Sequence, residues 1–114
     1  MIKHAIILPL KENFTKENSG AVSIWVDDYL NSTKFRNNIS IFCSKKSTPN
    51  ETYLSKKNLI PINIKTKYFT NQFYIKKISE LIKLKNINSV EIHNRPEYAI
   101  YLLKENPNIK ITLI

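Results

Sequence analysis

Near the end of the chain, in SVEIHNRPEYAIYLL, four chemically different residues follow an apolar run: His93, Asn94, Arg95 and Pro96. An imidazole titrates near neutral pH, so His93 suits proton transfer or a hydrogen bond to a sugar hydroxyl or a phosphate. The Asn94 amide can read hydroxyls. The Arg95 fork matches a phosphate or a carboxylate, the more so just before a helix N-terminus. Each also has a plainer role. A histidine ending a strand can bond a neighbouring loop, asparagine suits a tight turn, and Arg95 can ion-pair with Glu97 on the surface. Helix initiation accounts for Pro96 and Glu97. A second candidate is Gly20, the only glycine, preceded by Ser19. Glycine lets a ligand approach the backbone, Ser19 can cap the following helix, and helix N–H groups favour anions. One glycine forms neither a dinucleotide fingerprint nor a phosphate-binding P-loop, so both are disfavoured.

Other residues of chemical interest have structural readings. His4 begins its strand, at the opposite edge of a parallel sheet from His93, which argues against a metal pair. Asp27 and Asp28 are adjacent on a helix and point different ways, as on a solvated face. Trp25 and Tyr29, at helical spacing, read as core rather than as a ligand cage. The single cysteine, Cys43, excludes an internal disulfide and a cysteine zinc site, and reads as a small buried apolar residue. No metal ligand cluster or cofactor motif is present.

The elements that must position these residues alternate. IKHAIILPL, NISIFCS, LIPINIKT, SVEIH and NIKITLI read as strands, and AVSIWVDDYLNSTKF, TNQFYIKKISELIKLKN and RPEYAIYLLKEN as helices. In the first helix Val22, Trp25, Val26 and Tyr29 share a face; in the second Ile75, Ile78, Leu81 and Ile82 do. Strand–helix alternation with short connections implies an α/β fold, a Rossmann-like open parallel sheet of order 3-2-1-4-5 with helices on both faces. Ligands bind such sheets beyond the carboxyl ends of the strands, where the order reverses. That point lies between the first and fourth strands, flanked by the loop before Gly20 and by His93 to Pro96.

The chain has 114 residues, 42% of them hydrophobic, which suits one domain or part of one. It stops on an apolar strand, which reads as an incomplete domain; a complete small domain is the alternative. No apolar run is long enough to span a bilayer, and the N-terminus lacks a signal-peptide pattern, so a cytoplasmic protein is expected. The formal charge is +9, carried by sixteen Lys and two Arg. Such an excess fits a solvated surface or attraction to an anionic membrane; nucleic acid is disfavoured, because its readers favour Arg.

Two segments together resemble the N-terminal domain of GT-B fold retaining glycosyltransferases, of the family 4-like, lipopolysaccharide and cell-envelope type. IILPLKENFTKENSGAVSIWVDDYL looks like that family's first strand, glycine loop and first helix. VEIHNRPEYAIYLLKENPNIKITLI looks like its late strand, His-Asn-Arg-Pro turn, helix and strand. Where the family often has Gly-Gly, this chain has Ser19-Gly20, and only Gly20 carries over directly. The resemblance implies an acceptor-side domain, residues 1–114, whose donor-binding C-terminal domain is absent from this chain. It implies a hexosyltransferase-like enzyme that, when complete, moves a sugar from a nucleotide-sugar to a glycan or lipid-linked acceptor, with no cofactor or bound metal. It implies substrate-binding roles for Ser19, Gly20, His93, Asn94 and Arg95, assigns no catalytic residue, and leaves the isolated chain inactive. Peripheral attachment at the inner face of the cell membrane would use Lys76, Lys77, Lys83 and Lys85 with Tyr68, Phe69, Phe73 and Tyr74. An ordinary helix packed on the sheet is the other reading, and a non-catalytic basic module bound to a membrane or a partner protein is the alternative function.

Overall fold

The structure is a computed structural model, and it describes residues 3–10, 21–34, 36–44 and 59–114. Five strands, β1 (His4–Ile7), β2 (Ile39–Ser44), β3 (Leu59–Ile62), β4 (Ser89–Ile92) and β5 (Lys110–Leu113), form one sheet. All four pairings are parallel and the order is β3-β2-β1-β4-β5, as the alternation of elements predicts. The helices are α1 (Ala21–Ser32), α2 (Thr70–Lys85) and α3 (Pro96–Glu105). A short 3-10 turn, Arg36–Asn38, leads into β2 and has no signal in the hydrophobic pattern.

Side-chain alternation on β1 sorts the molecule into two layers. Ala5 and Ile7 face α2 and α3, and join Phe42, Val90 and Ile92 in the larger core. Ile6 and Leu8 face α1, and pack with Val26, Leu30, Ile41 and Cys43. Strand β1 is buried on both faces, which explains its unbroken apolar run. Each fully buried Ile or Leu contributes about 1.5–3 kcal/mol, so this central strand anchors both layers.

Two aromatic placements differ from the pattern-based expectation. Tyr74 is not an interfacial aromatic: it is fully buried, and its hydroxyl donates to the Leu8 carbonyl at 2.8 Å and the Phe42 carbonyl at 3.0 Å. Leu8 follows β1, and Phe42 is the last β2 residue paired with that strand, so the phenol supplies a donor where the two strands part. Burial, reinforced by Cys43 and Tyr98, pushes that phenol well above its ordinary pKa and keeps its proton in place. Trp25 and Tyr29 are not core. They lie half-exposed beside the buried stripe of α1, which is carried by Val26 and by Leu30.

Helices α2 and α3 are cross-linked at matched positions. Tyr98 donates to the Asn71 side-chain oxygen at 2.5 Å, and Asn106 donates to Ser79 at 3.1 Å. Helix α2 ends at Asn86, in the left-handed region (φ 57°). The Ile87 N–H bonds the Ile82 carbonyl and the Asn86 N–H bonds the Lys83 carbonyl, the pattern of a Schellman cap.

Candidate functional site at the sheet switch point

At the carboxyl edge, β1 and β4 lie side by side, and the chain leaves them in different directions: β1 has β2 on its other flank and β4 has β5. The backbone ladder runs one residue past β4, with the His93 N–H donating to the Ile7 carbonyl at 3.4 Å. Asn94 then enters the left-handed region (φ 58°), and its N–H donates to the Ile114 carbonyl at 3.2 Å. Asparagine tolerates that conformation better than most residues, so Asn94 reverses the strand into α3. Pro96 is the first helical residue, where a missing N–H costs nothing, and Glu97 lies in the first turn.

Alternation places Glu91 and His93 together on the α1 face of β4. Their side chains meet, with His93 Nε2 and Glu91 Oε2 2.7 Å apart. His93 is 4% exposed and Glu91 15% exposed. A buried imidazole beside a carboxylate is held in one orientation and one hydrogen-bonding role. The Trp25 ring covers the imidazole, with centroids 5.3 Å apart and planes tilted by 57°. Trp25 in turn stacks on Tyr29, with centroids at 5.8 Å and planes within 4° of parallel. The site therefore runs from a buried acid–imidazole pair to a half-exposed aromatic pair.

Of the sequence-derived candidates, His93, Asn94 and Arg95 come together in this turn. Their roles divide. Asn94 is spent on the turn, and its side chain is exposed. Arg95 Nη1 lies 3.4 Å from Glu97 Oε1, so its fork already has an anionic neighbour. His93 is the member with a built environment. Ser19 and Gly20 lie outside the described residues. His4 is at the amino edge, bonded through Nδ1 to the Ser89 hydroxyl at 2.9 Å, away from His93. Burial lowers its pKa, and the charge of Glu91 partly offsets this.

Sequence reasoning missed three members of the site. Glu91 had a legible signal, since residues two apart on a strand share a face. Trp25 and Tyr29 had none, because an aromatic beside an apolar helix stripe looks the same whether covered or open. Among the described residues, no cluster of three metal-ligating side chains occurs, and no helix is long and apolar enough to cross a membrane. A hollow of about 350 Å³ lies at the amino edge, lined in part by Lys83, Asn88, Glu105 and Asn106. It lies away from the switch point, and the Lys83–Glu105 ion pair occupies its charged wall. No family model, curated protein or solved structure matches the chain. Geometry and chemistry alone bear on its function.

Proposed function

We propose that this chain is the acceptor-side, N-terminal domain of a GT-B type glycosyltransferase, which in its complete form moves a sugar from a nucleotide-sugar to a cell-envelope glycan or lipid-linked acceptor. The observation that carries the reading is the meeting of Trp25 with the Glu91–His93 pair at the switch point of a 3-2-1-4-5 sheet. Open parallel sheets bind ligands there. An imidazole backed by a carboxylate can hold a sugar hydroxyl, and the adjoining rings can pack a sugar's apolar face. In this reading His93 and Glu91 position ligand, Asn94 shapes the turn, and the Arg95 guanidinium is the group for the donor phosphates. Two domains must close on each other for transfer, so residues 1–114 alone should release no nucleoside diphosphate from UDP-, GDP- or ADP-hexoses. The test is expression of the whole reading frame that carries these residues, assayed for diphosphate release in the presence of oligosaccharide or membrane acceptors. Absence of release with every donor overturns the reading.

A second reading, a non-catalytic module on an anionic membrane, has one observation in its favour. Tyr68 and Phe69 are 76% and 77% exposed, next to exposed Lys65 and Lys67. Interfacial aromatics beside lysines suit an anionic headgroup layer. Sedimentation with anionic vesicles, lost on Tyr68→Ser and Phe69→Ser, supports this reading; equal recovery with neutral vesicles removes it.

A further inference from the structure

The two elements behind the site, α1 and β4, carry charge of the opposite sign to the chain, and Arg95 in the adjoining turn is paired with Glu97. The whole sequence is +9, yet the charged residues within α1 and β4 are Asp27, Asp28 and Glu91, with no lysine or arginine. Phosphate, anionic lipid and nucleic acid are all disfavoured beside such a group. Against this acidic setting stand two parallel, half-exposed rings, Trp25 at 46% and Tyr29 at 39% exposure. The two rings are stacked, 5.8 Å between centroids and within 4° of parallel, so the pair offers a rigid aromatic surface backed by a second ring. On the same sheet face as His93 are two hydrogen-bonding groups: Glu91, bonded to His93 through one carboxylate oxygen, and the exposed Thr112, its cross-strand partner on β5.

We infer that Trp25 and Tyr29 form a seat for the ring of a neutral pyranose, with the adjoining hydroxyls bonded by Glu91 and Thr112. The reasoning is chemical. A pyranose has an apolar face of C–H bonds and a rim of hydroxyls, so it takes one aromatic platform and a few acceptors. An anionic ligand gains nothing from the platform that the Glu91 carboxylate does not oppose. The inference rests on the glycosyltransferase reading and deepens it. It assigns the aromatic seat to the acceptor glycan and leaves the phosphates of the donor to the Arg95 side of the turn.

Trp25 is the only tryptophan in the chain, so its emission reports on the seat directly. The experiment titrates residues 1–114 with methyl glycosides of glucose, galactose and N-acetylglucosamine, and with mannitol as an open-chain polyol. A saturable emission change with at least one pyranoside and none with mannitol is expected. Tyr29→Ala should weaken the response about tenfold, while Tyr29→Phe retains it. Circular dichroism shows whether each variant is folded, and the wild-type comparison with mannitol decides the matter if Tyr29→Ala does not fold. No saturable change, an equal change with mannitol, or an unchanged affinity in folded Tyr29→Ala overturns the seat. So does a ring pair already covered by self-association in sedimentation. Pyranoside binding without diphosphate release in the whole protein keeps the seat and rejects the transferase. Transferase activity with an acceptor KM unchanged by Trp25→Ala does the reverse.

Discussion

Tyr74 is fully buried and His4 part-buried, and each bonds from one strand or helix to another. The Tyr74 hydroxyl is the donor that joins β1 and β2 where their pairing ends. Tyr74→Phe keeps the ring and its packing but leaves the Leu8 carbonyl without that buried donor. A loss of about 1–3 kcal/mol is expected, read by urea denaturation with an unchanged m-value. His4 gives the molecule an acid-sensitive point. Its folded pKa is lowered from 6.5, so the folded state binds a proton less readily than the unfolded chain does. The contribution of neutral His4 is therefore complete above the unfolded value and declines as pH falls through 6.5 towards the folded value. His4→Gln, tested by thermal melts from about pH 7.5 to about pH 5, should lose less stability over that window than the parent. His93 differs in kind: its partner is a carboxylate and its cover is an aromatic ring. That difference separates a bonded histidine at the amino edge from one placed in a candidate site.

At the scale of elements, the caps explain why the helices stop where they do. Helix α2 could run on past Lys85, since its polar face continues into Asn86. It ends because Asn86 adopts a left-handed conformation and Ile87 turns back into the core, 7% exposed. Asn86→Ala should cost about 1 kcal/mol, because a Cβ without a compensating side-chain bond is disfavoured there, and Asn86→Gly should cost nothing. The pair of variants, compared by chemical denaturation, separates conformational strain from any loss of side-chain contact. Edge strand β5 behaves differently from its neighbours. Leu113 and Ile114 are more than half exposed, whereas the paired Ile92 is fully buried. The apolar run NIKITLI identified β5 as a strand but could not tell a covered strand from an edge strand, because both use the same residues. The same limit explains the misreading of Trp25 and Tyr29. Periodicity marks the face of a helix nearest the core, but where its border ends depends on the width of the neighbouring layer.

For the molecule as a whole, strand order was the most legible property. Short connections and right-handed crossovers leave few arrangements for five alternating strands. The turn at His93–Pro96 was legible for the same reason, since it falls at the exit of a strand whose neighbours the order fixes. Its internal division of labour was not, because whether Arg95 is engaged and His93 is buried depends on contacts the local sequence does not contain. The two-sided burial of β1 also predicts a gradient of protection. Amide hydrogen exchange should be slowest at Ala5–Leu8 and Val90–Ile92 and faster by orders of magnitude along β5; uniform protection across the sheet would contradict this layering. A mechanical consequence follows from the two bonds between α2 and α3. Residues 71 and 98, and then 79 and 106, are joined, so both spans are eight residues long, about 12 Å of helix. Two rivets at equal spacing let neither helix slide along the other without breaking both at once. That side of the sheet is a stiff plate, and any shear that accompanies ligand entry falls to the opposite layer, where α1 carries the aromatic rings on the apolar contacts of Val26 and Leu30.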